Sequence, residues 1–131
     1  PSFINQAAKA KQTEAKTTIS SVNKAQQTQR IENGAFATSI TSLSIGLNAT
    51  ATANYSYTMA GGGTNANVTI VAMATDVTTL RGYSGGVFIS TPTGDAPSII
   101  CQTTGVQGTT PAGALTPSSA TQCPTSMEIL K

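Results

Sequence analysis

The 131 residues include no histidine and no tryptophan, and only 9% are charged. Without histidine, the commonest general base and every Ser-His or Cys-His nucleophile pair are missing. The five acidic residues, Glu14, Glu32, Asp76, Asp95 and Glu128, are scattered, and nothing points to a Ser-Lys arrangement. The chain therefore reads as non-enzymatic, with no cofactor and no metal. A zinc site has no support, because it would need histidines or a second cysteine pair. No run of 18 apolar residues occurs, so no stretch has the length to span a bilayer. A net charge of +2 is too small by itself to imply nucleic acid as a partner. With three tyrosines and no tryptophan, stacking on sugars is also poorly served.

What is present is a polar, weakly charged chain whose surface is mostly Thr, Ser, Asn and Gln, as is common in exported proteins. Its 131 residues make one domain with a modest core. The rest is organised around residues 1–33, which read as one long amphipathic helix. Ile4, Ala8, Ala15, Ile19, Val22 and Gln26 recur at spacings of three, four or seven, with Lys11 interrupting. That places them on one stripe, to be buried against the remaining chain. Lys9, Lys16, Ser20, Lys24 and Gln27 lie around the other side, in water. Pro1 suits the first turn, where its missing N–H has no partner to lose. Asn33-Gly34 closes the helix, since glycine accepts the left-handed conformation of a C-terminal cap. A rod of about 30 residues, roughly 45 Å long, takes most of its stability from what packs against it.

Residues 34–53 form the connecting loop, with Ser39 placed to cap a short helical turn that carries Ile40 and Leu43 inward. Asn48 onward is Ala/Thr-rich and leads into a strand. Over 54–59, Tyr55, Tyr57 and Met59 alternate with polar residues, the pattern of a half-buried strand. Glycines 61–63 turn the chain into a second strand over 68–73, giving an antiparallel hairpin. Gly85-Gly86 then reads as punctuation before a third strand over 87–90, and 98–102 is a short fourth. The sheet thus occupies 54–102. Residues 103–126 are Gly, Pro, Thr and Ser with little to bury except Val106 and Leu115. So long a structureless stretch is uncommon unless stapled or functional. Cys101 and Cys123 are an even pair in a charge-poor, Thr/Ser-rich chain, which favours a disulfide over two buried free thiols. Such a bond would close 101–123 into a surface loop. Residues 127–131 could return as a last strand. The fold class is α+β: a long N-terminal helix packed on a four-stranded antiparallel sheet, with a C-terminal disulfide-closed loop.

This order of elements carries a resemblance. Residues 2–12 (SFINQAAKAKQ) and 23–27 (NKAQQ) resemble the helix of type IV pilins, and most of all the cyanobacterial pilin-like G/H branch. Residues 31–39 (IENGAFATS) are similar to that branch's passage from helix to loop, and the late cysteine pair resembles the pilin D-region. The resemblance covers roughly residues 1–47 in sequence and the remainder in pattern.

It implies a precursor cleaved by a prepilin peptidase, with an apolar, N-methylated membrane segment ahead of Pro1, which resembles the proline that kinks the helix after that segment. It implies an inner-membrane anchor before assembly, contact with the pilus assembly machinery, and polymerisation with other pilin subunits into an extracellular filament. On that basis Ile19, Val22 and Gln26 belong to the helix–sheet core, while Phe3, Ala7, Ala10 and Glu14 face neighbouring subunits rather than solvent alone.

Two other roles stand beside a pilus subunit used in motility, adhesion or DNA uptake. One is a pseudopilin of a type II secretion system, a class whose major members resemble one another in a calcium-binding acidic loop near the C-terminus. The other is a secreted binding module. Nucleic acid remains a weak partner assignment, because no aromatics interleave the lysines as they do in single-strand binders. Lys9, Lys16 and Lys24 read as a solvated face before they read as a phosphate or lipid-headgroup site. The Asn-Xaa-Thr/Ser matches at Asn48, Asn54 and Asn67 are discounted in so Asn/Thr-rich a chain. Gly61-Gly62-Gly63 lacks the lysine of a phosphate loop.

Overall fold

A computed structural model describes residues 3–43, 45 and 51–130, with side chains from residue 6 onward. The expectations for Pro1 and Asn48, and for the side chains of Phe3 and Ile4, lie outside the described residues. Helix α1 spans Phe3–Asn33, 31 residues and about 46 Å. It ends where the Asn-Gly pair directs: Gly34 takes φ +72° and its N–H donates to the Arg30 carbonyl at 2.9 Å. One 3-10 turn, Ile40–Ser42, follows and buries Ile40 and Leu43. Ser39 occupies the cap position, but its hydroxyl pairs with that of Ser42 at 2.9 Å instead of capping a backbone N–H.

Five antiparallel strands form a single meander: β1 Tyr55–Gly61, β2 Asn67–Ala74, β3 Tyr83–Phe88, β4 Ser98–Thr103 and β5 Met127–Ile129, in the spatial order β1-β2-β3-β4-β5. The sheet has five strands rather than four, because the chain after the cysteine loop returns to pair Cys101 with Ile129 and Thr103 with Met127. Strand β3 also departs from expectation. It begins at Tyr83 and runs through Gly85-Gly86, which had read as a break. Gly85 is where α1 crosses the sheet. A Cβ there would collide with Ile19 Cγ2 and lie 3.1 Å from Asn23 Nδ2. At Gly86 a Cβ would sit 2.7 Å from the Phe88 ring. The glycines are therefore conditions of packing in mid-strand, which local turn rules do not anticipate.

The sheet is covered on both faces. On one, Ala15, Ile19 and Val22 of α1 meet Tyr55, Tyr57, Ile70, Ala72 and Tyr83. On the other, Leu115 of the 103–126 segment packs with Val71, Ile99, Cys101 and Met127. The disulfide Cys101–Cys123 fastens that segment to β4. What read as a surface loop is thus the second layer over the sheet. Gln107 helps hold it there: its Oε1 accepts the Ala74 N–H at 2.7 Å, and its own N–H donates to the Leu80 carbonyl.

Candidate functional site

Helix α1 presents two faces of different chemistry, and the elements packed on one decide which residues remain on the other. The inner face is apolar only in part. Ile19 and Val22 are buried, yet polar side chains beside them each hold a different part of the chain. Gln12 accepts the Arg81 N–H at 2.9 Å. Asn23 donates to the Ile99 carbonyl at 3.1 Å, and Gln27 to the Ala96 carbonyl at 2.6 Å. Gln26 both donates to the Ala37 carbonyl (2.9 Å) and accepts the Ala37 N–H (2.8 Å), as a second peptide group would. Gln27, expected in water, is thereby drawn to the turn before β4. Lys16 is likewise half-buried, its Nζ 6.0 Å from the centroid of the Tyr83 ring.

Among the residues expected to face neighbouring subunits, Ala7 and Ala10 are exposed, while the side chain of Phe3 is outside the described residues. Glu14 shares their side of the helix by spacing but is partly buried. Its carboxylate turns toward the sheet and accepts bonds from Thr52 Oγ1 at 2.6 Å, Tyr57 OH at 2.7 Å and Asn54 Nδ2 at 3.1 Å. Burial alone would raise its pKa. The three hydrogen bonds outweigh that effect and hold the carboxyl below its ordinary value. Burial also pushes the hydroxyls of Tyr55, Tyr57 and Tyr83 upward, that of Tyr83 to about 12 against the opposing pull of Arg81.

A pH dependence follows with a definite sign. A carboxylate with a depressed folded-state pKa stabilises the fold above the unfolded value and loses that contribution as pH falls through the folded value. Glu14→Gln is therefore expected to destabilise the protein at neutral pH by about 1 kcal/mol, the charged bonds being discounted for their contact with solvent. The gap between wild type and variant should close on acidification below the ordinary glutamate range. Urea midpoints measured across pH check this, and a gap independent of pH would exclude an ionised clamp.

The outer face of α1 is continuous. Ala10, Thr13, Thr17, Lys24, Thr28 and Ile31 are all exposed. Intervals of 3, 4, 7, 4 and 3 place them on one stripe of helix opposite Ile19 and Val22. Of these, the sequence marks Ala10 alone as facing a neighbouring subunit. The spacing of the threonines was legible, but threonine carries no apolar signal to mark it. Small side chains allow a second helix close approach, and Ile31 is 83% exposed at the C-terminal end of the stripe.

A family model described as type IV pilin-like G and H matches residues 12–124. The chain belongs to this type IV pilin-like family. No curated protein and no solved structure gives a significant match. The match takes in most of α1, the whole of β1–β4 and the disulfide, so the pilin-like architecture and the described fold coincide. A type IV pilin-type structural role follows at the level of the family. No described helix of this pilin-like chain is long and apolar enough to cross a membrane.

Proposed function

We propose that this chain is a subunit of a type IV pilus, polymerising with other pilin subunits through the outer face of α1 into a filament on the cell surface. The observation that carries the reading is the asymmetry of the helix. Its inner face is occupied by apolar packing and by polar hooks from Gln12 to Gln27, whereas Ala10, Thr13, Thr17, Lys24, Thr28 and Ile31 have no cover along about 30 Å of helix. Apart from Lys24, the one charge on the stripe, its side chains are short or apolar, which suits a helix that packs against copies of itself. Motility, adhesion and DNA uptake are the roles such a filament would serve. An inner-membrane anchor upstream of residue 1 and handling by the pilus assembly machinery belong to the same proposal.

The test is to shear surface filaments from cells that make the protein and identify their subunits by mass spectrometry, alongside a deletion strain. Recovery of this chain in the filaments, with their loss or thinning on deletion, is the expected result. Recovery only as free secreted protein would overturn the proposal in favour of a binding module. A pseudopilin of a type II secretion system is the runner-up. The region after β4 is held by a disulfide, Leu115 and Gln107, and no group of three or more acidic or thiol residues gathers among the described residues. That construction favours the pilus subunit.

A further inference from the structure

Three large apolar side chains among the described residues are exposed: Ile31, Val106 and Ile129. The first two lie toward opposite ends of α1. Ile31 stands out from the last turn with exposed Glu32 beside it. Val106, 51% exposed, borders a groove of about 450 Å³ beside the first turns of α1, whose walls include Ala8, Lys9, Gln12 and Arg81. One end of the molecule thus offers an apolar knob next to a carboxylate. The other offers a groove bordered by Ala8 and Val106 next to two cations. Arg81 is paired with Glu128 at 3.3 Å, which is the one ion pair among the described residues, so Lys9 has no carboxylate partner there.

Resting on the filament reading, we propose that the groove at Val106 receives Ile31 and Glu32 of a second copy of this chain. Ile31 lies on Ala8 and Val106, and Glu32 faces Lys9. The knob and the groove are separated by about 22 residues of helix, so each contact displaces the next subunit by about 33 Å along α1. Because the two surfaces differ, the contact is heterologous. Each copy keeps one free knob and one free groove, and the array stays open instead of closing as a dimer. Charge complementarity selects the second copy as occupant. The same geometry sets the polarity, with the C-terminal end of one α1 meeting the flank of the next. A single knob is much smaller than a stable interface needs. The contact therefore acts together with the outer stripe of α1, and it is tested in assembled filaments.

The experiment introduces Ile31→Cys and Val106→Cys together in the full-length protein and treats sheared filaments with a short bis-maleimide. The expected result is a denaturation-resistant ladder of subunit multiples that neither single variant yields. Lys9→Glu and Glu32→Lys should each reduce filament yield several-fold, and the double reversal should restore it. Ile31→Asp provides a second check, since the site is exposed: the free subunit should keep its unfolding midpoint while filament yield falls. Filaments that contain the chain but give no ladder, or that tolerate both single reversals, would overturn this contact and leave the filament reading standing. Absence of the chain from filaments would instead remove the reading beneath it.

Discussion

Gln26→Ala is expected to lower the free energy of unfolding by about 2–4 kcal/mol, a large share of what a domain of this size possesses. The side chain is 1% exposed and bonds both main-chain groups of Ala37, itself 5% exposed. Truncation leaves one buried N–H and one buried C=O without partners, each costing about 1–3 kcal/mol. Water is poorly placed to replace them, because Phe36 and Ala37 are both buried on the helix side of the sheet. Gln26→Leu separates the two contributions: it restores volume but not hydrogen bonds. If the bonds dominate, leucine should be nearly as costly as alanine. Denaturant titration checks this, and a loss below about 0.5 kcal/mol for either variant would show that the segment after α1 is held by other contacts.

The second large effect is expected on the other face. Cys123→Ser should cost about 3 kcal/mol by the loop-closure relation, the cysteines being 22 positions apart. Removing the bond releases one end of the segment that covers β4. Residues 103–126 should then become open to proteases and exchange their amides faster, while α1 and β1–β3 keep their protection. The release is expected to be graded along the segment. Gln107 still binds Ala74, and Leu115 remains in its cluster with Val71 and Ile99, so cleavage should concentrate between Leu115 and residue 123. Limited proteolysis with mass mapping reads this out. Unchanged resistance across 103–126 would mean that apolar packing alone retains the layer.

Both effects come from contacts whose visibility in the sequence differed sharply. Helix α1, its end at Asn33-Gly34, the alternation of Tyr55, Tyr57 and Met59, and the pairing of Cys101 with Cys123 were all legible. Each rests on a period or a residue preference that acts over a few neighbouring positions, or on a residue type with one evident partner. The partners of Glu14 were hidden for the opposite reason. Its helical position, next to the stripe, allows either face, and what draws it inward is a trio of donors 38, 40 and 43 residues away. Gln27 follows the same logic, with its acceptor 69 residues away.

The amino-acid sequence by itself determined the helix, the strands of the hairpin, the disulfide and, through the resemblance of its first 47 residues, the pilin-like class that residues 12–124 share. Tertiary structure alone decided that Gly85-Gly86 lies inside a strand and that the cysteine-bounded segment covers a sheet face, and it fixed the chain end, which the sequence offered as a possible strand, as the fifth. It also decided which helix residues remain free for another subunit. Glycine in a strand and glycine in a turn look alike until Ile19 is seen to occupy the space where a Cβ would be. The unpartnered face of α1 is likewise defined only once Gln12, Glu14, Asn23, Gln26 and Gln27 have found their partners, because exposure is what remains after long-range packing is complete.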